Sequence, residues 1–197
     1  MDIKLFFFIL ASIFGLGFSI PYFVDIFKKR TQPHLYTWLI WAITQYTAAF
    51  ASLAGGGGWG AGGMFMAATV NTLVFLLALK YGTKNITKSD TIILIGALAA
   101  IVVWWQLDQP LIAVIMVTVI DFVGYFPTYR KSWQEPWSET VKSWIGFFIA
   151  MCFALLSLQA YNALTLPYVL MVIVSNLTVA VICLIRRQKI PKPISTR

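Results

Sequence analysis

Charge is scarce in this chain. Asp, Glu, Lys and Arg make up 11% of its 197 residues against 59% apolar residues, whereas a soluble domain carries about a quarter charged residues. Histidine occurs once and cysteine twice, too few for a zinc cluster or a disulfide framework, and Cys152 and Cys183 both lie inside apolar runs. Alternating polar and apolar residues of the kind that build a membrane barrel are missing as well. No two carboxylates fall at one depth, and neither thiol has an activating partner in view. These absences weigh against an enzyme, and no cofactor or metal is expected. The net charge of +8 does not point to nucleic acid, because no basic stripe with interleaved aromatics runs along a polar face.

Long apolar runs are what the chain has in their place. Seven can be marked: Leu5 to Phe27, Leu35 to Ala54, Met64 to Leu79, Thr91 to Trp105, Leu111 to Tyr129, Val141 to Leu158 and Leu166 to Ile185. Most approach the roughly 20 residues that span a bilayer as a helix, and hydrocarbon leaves a spanning backbone no other partner than itself. The first run resembles a signal peptide but lacks a small-x-small cleavage site and continues past Pro21, so it is expected to be retained. The glycine run Gly55 to Gly63 lacks the strand, helix and lysine of a phosphate loop and reads as a flexible connector. Trp104 and Trp105 suit the headgroup layer.

The basic residues sort by side. With the N-terminus outside, Lys28, Lys29, Arg30, Lys80, Lys84, Lys88, Arg130, Lys131, Lys142, Arg186, Arg187, Lys189, Lys192 and Arg197 all fall on the cytoplasmic side, and Lys4 alone falls opposite. An integral membrane protein, of a bacterial inner (cell) membrane, with its C-terminus cytoplasmic is the expectation.

Within this pattern the chain repeats itself. Shifting Gly17 to Trp41 by 106 positions lays Pro21 on Pro127 and Trp38 on Trp144 without a gap. Seven helices then divide into two parallel three-helix repeats joined by a linker helix, a 3+1+3 all-α membrane fold. Residues 1–80 form the first repeat, 81–108 the linker helix with its loops, 109–186 the second repeat and 187–197 a basic tail. Parallel repeats place a binding site between the two units near the midplane.

Polar residues mark where that site would lie. Thr118, Asp121, Tyr125 and Thr128 share one helix face, and the shift returns Ser12, Gly15, Ser19 and Tyr22. Asn71 and Asn176 each stand alone in the middle of an apolar run, at an offset of 105. A carboxylate at the depth of Asp121 costs about 2.5–3.5 kcal/mol even on the lenient insertion scale, so it must be neutral, paired or wet. The candidate solute-binding residues are Asn71, Asn176, Asp121, Tyr125 and Ser19. Pro21 and Pro127 remove a backbone donor and serve as hinges or shape the packing. Trp38 and Trp144 act as interfacial anchors or a gate, the anchor being the simpler reading. His34 reads as a plain loop residue, and Asp25 as the partner of Lys28 and Lys29 one turn away.

At the repeated hairpin the chain resembles the PQ-loop and SWEET superfamily, which includes SWEETs, SemiSWEETs, cystinosin-like transporters and the KDEL receptor. The segment PYFVDIFKKRTQPHLYTW carries a proline followed by a basic residue beside threonine, here Arg30-Thr31. It is closer still to bacterial membrane proteins with a T-x-P-H-x-x-T/S-W loop and a second E-P-W-S-E-T-like loop. The family's glutamine after the proline is replaced by Tyr22 and Thr128. The resemblance implies the 3+1+3 plan, solute contact through Asn71 and Asn176, and an intramembrane acid placed like Asp121 for proton coupling. The expected function is transport of a small polar solute (a sugar, an amino acid or a vitamin-like molecule) by alternating access. The alternative is a receptor or scaffold of the same plan without transport. Expected partners are the small-molecule solute and the lipid bilayer, with no nucleic acid; a homo-oligomer is left open.

Overall fold

A computed structural model describes residues 2–83, 86–105 and 109–192, and their side chains apart from those of 93, 97, 100, 101 and 103–105. Lys84, Arg197, residues 106–108 and the Trp104 and Trp105 side chains lie outside the described residues. Among these residues the fold is all helical. The helices are α1 (Ile3–Phe27), α2 (Leu35–Ala54), α3 (Trp59–Tyr81), α4 (Lys88–Trp105), α5 (Pro110–Gln134), α6 (Val141–Ser157) and α7 (Leu166–Lys189), with a short 3-10 turn at Pro136–Ser138.

The apolar runs became helices, and several helices outran them. Helix α5 continues from the apolar Tyr129 through Arg130 to Gln134, and α7 ends on Lys189, where the polar side chains beyond the apolar runs find protein partners: Lys131 pairs with Glu139 and Arg187 donates to the Pro136 carbonyl. The glycine run corrects a sequence expectation. Only Gly55–Gly58 connect, and α3 begins at Trp59. Gly56 and Gly58 have φ of 78° and 53°, the left-handed region where glycine carries no Cβ penalty, and the following glycines are helical because close neighbours need them small. A Cβ on Gly60 would meet Leu158. The connector is therefore a packed turn, with Asn162 donating its side-chain amide to the Gly55 carbonyl at 2.9 Å.

Helices α1, α3, α5 and α7 are each long and apolar enough to cross a bilayer, and α6 is a shorter apolar helix. Their outward faces remain apolar: Ile13, Ile20 and Val174 are about 60% exposed. Water would penalise such a surface and hydrocarbon does not, so the chain is an integral membrane protein.

Helix α1 packs on α6 and α3, α2 on α3 and α5, and α7 on α5 and α6, while α4 lies at the edge against α5 and α2. Two close crossings depend on glycine. Gly146 of α6 lies against the Phe18 side chain of α1, and Gly124 of α5 lies against Ile40 and Trp41 of α2. Three basic stretches meet at one end of the bundle, called here the basic end: the turn after α1, the turn from α5 to α6, and the end of α7.

Candidate functional site

Four inward-facing stretches meet at mid-length of the bundle. Asp121 and Tyr125 come from α5, Asn71 from α3, Asn176 from α7, and Trp41 and Gln45 from α2. All six line one cavity with a water-accessible volume of about 60 Å³, room for a few water molecules. Trp38 and Trp144 also line the cavity toward the basic end, and the small residues Ala11, Gly15, Gly63 and Ala154 line part of the rest, beside Met66, Phe147 and Met151. Small side chains there leave the space that larger ones would fill.

The carboxyl, amide and phenol groups in the cavity have protein partners and capacity to spare. Asp121, buried, accepts a hydrogen bond from Thr44 of α2. The Asn71 amide donates to Gln45 Oε1 at 2.5 Å. The Tyr125 hydroxyl donates to Asn176 Oδ1 at 3.2 Å, which leaves the Asn176 amide hydrogens free to donate. The Trp41 indole N–H, at the cavity wall, is buried without a hydrogen-bond partner. A buried unpaired donor costs about 1–3 kcal/mol, and a ligand acceptor would remove that cost. Neither Thr44 nor Gln45 stood out in the sequence. Both lie in a run rich in threonine, where a hydroxyl ordinarily bonds back to its own helix, as Thr44 also does to Ile40.

Of the residues expected at the site, Asn71, Asn176, Asp121 and Tyr125 come together. Ser19 does not join them: it is buried, but its hydroxyl bonds to the Leu16 carbonyl within α1 at 2.7 Å, and it does not line the cavity. Pro21 and Pro127 sit inside α1 and α5, with Pro127 buried and Pro21 facing a second, larger space described below.

The tryptophans overturn the anchor reading. Trp38 and Trp144 are 2% and 1% exposed, packed inside the bundle instead of on its outer surface. With Trp41 they form a mutual cluster, with ring centres 5.1 to 6.2 Å apart, and Tyr22 packs against Trp38 at 5.3 Å. Burial of large aromatic surface outweighs the interfacial preference here because the next turns fold back over the helix ends.

Those turns carry a second polar cluster. Lys131 pairs with Glu139, and Glu139 also accepts from the Trp144 indole at 2.9 Å and the Tyr22 hydroxyl at 3.4 Å. Thr140 donates to Asp25 at 2.8 Å and meets Thr31 at 2.6 Å. Asp25 therefore holds the opposite turn and lies 3.9 Å from Arg30; it does not pair with Lys28 or Lys29 as its spacing suggested, since their side chains face solvent. Beyond this cluster opens a vestibule of about 1190 Å³ lined by Pro21, Asp25, Arg30, Glu139, Thr140 and Arg187 among others.

His34 is a further correction. It is 2% exposed, with Nε2 3.2 Å from Asp90 and Nδ1 3.3 Å from the Thr37 hydroxyl. Asp90 is in turn held by Arg130 at 3.1 and 3.2 Å. Burial holds the imidazole below the usual histidine range against the pull of Asp90. The loop residue thus ties α4 to α2 and α5.

Among the described residues no group of three His, Cys, Asp or Glu could hold a metal ion, and both cysteines are free thiols. No family model, curated protein or solved structure matches this chain.

Proposed function

We propose that this protein is a transporter of a small polar solute that works by alternating access between two parallel three-helix units, α1–α3 and α5–α7, joined by α4. The observation that carries the reading is the cavity at mid-length of the bundle onto which Asn71, Asn176 and Asp121 converge. Three hydrogen-bonding side chains from three helices, surrounded by aromatic rings, suit a solute with a flat face and several polar groups. Intramembrane polar groups of this kind ordinarily mark a solute path.

The packing supports the two-unit plan. Under the 106-residue shift α1, α2 and α3 become α5, α6 and close to α7. The α1–α6 contact then maps onto α5–α2, the α2–α3 contact onto α6–α7, and α1–α3 onto α5–α7. The glycine crossings obey the same exchange: Phe18 against Gly146 becomes Gly124 against Ile40. One crossing places its glycine on the second unit's α6 and the other on its α5. The large residue belongs to the first unit in both. Such equivalence supports a two-fold seam lined by the cavity, the arrangement expected of parallel repeats.

In this reading Asn71 and Asn176 hold polar groups of the solute, the Trp41 indole supplies a further donor, and Asp121 accepts a solute donor or a proton. Pro21 and Pro127 let α1 and α5 bend as the units rock. The chain lies in a cell membrane with its basic end cytoplasmic. Uptake by the purified protein in liposomes, screened against pools of sugars, amino acids and vitamins, is the direct test. Asn71→Ala with Asn176→Ala is expected to lower uptake at least tenfold. Tight capture of one compound with no flux would establish the receptor reading of the same fold instead.

A further inference from the structure

The central cavity and the vestibule approach each other at one side chain. Trp144 lines the cavity and Glu139 lines the vestibule, and the Trp144 indole donates to Glu139. Tyr22 of α1 donates to the same carboxylate oxygen. The other oxygen faces the Lys131 ammonium of α5, which also donates to the Gln32 carbonyl in the first turn at 2.6 Å. All four side chains are under 5% exposed. One buried carboxylate therefore ties both turns and both candidate units together, directly beneath the tryptophan cluster.

We propose that the Lys131–Glu139 pair is the basic-side closure of the solute path, the latch that keeps the Trp38–Trp41–Trp144 cluster shut over the cavity. A pair of charges taken out of water is stable only while it stays paired, and a single partner left behind is strongly unfavourable. Split apart, both groups need water, and the adjoining vestibule supplies it. The pair consequently has two acceptable states, dry and joined or wet and parted, and intermediate separations are costly. In the joined state Glu139 fixes the Trp144 indole over the cavity. In the parted state that indole loses its acceptor and the two turns are released from one another. This closure rests on the transport reading for its purpose, but its position can be measured without any flux.

The test uses the full-length protein in membrane vesicles, with Cys152→Ala and Cys183→Ala as background. Val70→Cys, in the cavity lining, reports access to a membrane-impermeant maleimide applied from the basic side. Lys28→Cys, on an exposed position of the basic turn, fixes which side that is. With the pair intact, Val70→Cys is expected to label slowly from the basic side. Lys131→Met strands the carboxylate and is expected to raise that rate at least tenfold. Lys131→Met with Glu139→Gln removes both charges while keeping an acceptor for Trp144 and Tyr22, and is expected to return the rate toward the parent. This recovery separates a latch from a misfolded protein, since a collapsed bundle would not reclose on a second substitution. An unchanged rate in Lys131→Met overturns the proposal, as does a raised rate that persists in the double variant. Labelling that follows the pair in a protein with no measurable uptake would uphold the latch and remove the transporter. Uptake that falls while labelling stays fixed would do the reverse.

Discussion

The two basic turns occupy matching places after α1 and α5, yet they treat their charges in opposite ways. In the first turn Lys28, Lys29 and Arg30 are exposed, and α1 stops at Phe27 with Lys29 at a φ of 55°. In the second, α5 runs on to Gln134, and Lys131 and Glu139 are 4% and 3% exposed. The same hairpin plan thus carries a topology signal on one side and a buried ion pair on the other. Position on the chain sets where the charge falls along the membrane normal; neighbouring turns decide whether it meets water.

That contrast can be broken most directly at Lys131. Lys131→Met should cost about 3–5 kcal/mol, the usual penalty for stranding one member of a buried pair. Lys28→Met or Lys29→Met should stay within about 0.5 kcal/mol, as exposed substitutions do. Chemical unfolding in detergent micelles measures both, and comparable losses at Lys28 and Lys131 would erase the distinction.

A second comparison sets Trp144 against Trp133, which is 53% exposed and stacked under Arg186. Truncating the buried indole, Trp144→Ala, should cost about 3–5 kcal/mol, while Trp133→Ala should lose about 0.5–1 kcal/mol of cation–π contact. The same unfolding assay ranks them.

The glycine crossings sharpen the comparison further. Gly146→Ala drives a methyl into the Phe18 side chain, its Cβ included, and should destabilise by about 1–3 kcal/mol in the same unfolding assay. Gly124→Ala should be milder, because its methyl would sit 3.3 Å from Ile40 Cγ2 and 3.5 Å from the Trp41 indole nitrogen, contacts that a small side-chain shift can relieve.

His34 supplies the smallest effect and a pH signature. Its folded-state affinity for a proton is lowered by burial, so the unfolded chain binds the proton more tightly. Stability from this group is fully present above the unfolded pKa of about 6.5. It is lost as pH falls from there toward the lower folded value. Thermal unfolding between pH 7.5 and 5.5 should show an acid-side loss that is reduced in His34→Gln.

Much of the architecture was legible because it follows from solvent. Runs of apolar residues near bilayer length have one outlet for their backbone groups, so α2 was expected at Leu35 to Ala54 and occupies that span. Asn71, Asn176 and Asp121 were visible as a set because a polar group inside such a run stands out against its neighbours. Thr44, Gln45 and His34 were not, since a threonine or a loop histidine has an ordinary local role and shows another only through what packs against it. Ser19 illustrates the converse: it shares a helix face with the site by periodicity, yet its hydroxyl is spent on its own helix.

Composition and order alone determined that this chain is helical, membrane-embedded and basic at one end, because hydrophobic length and charge placement act residue by residue against the surrounding medium. Which side chains face one another was decided only when the helices packed. The gathering of three tryptophans over a cavity and the burial of Lys131 against Glu139 depend on contacts between residues far apart in the chain, and such contacts have no local trace.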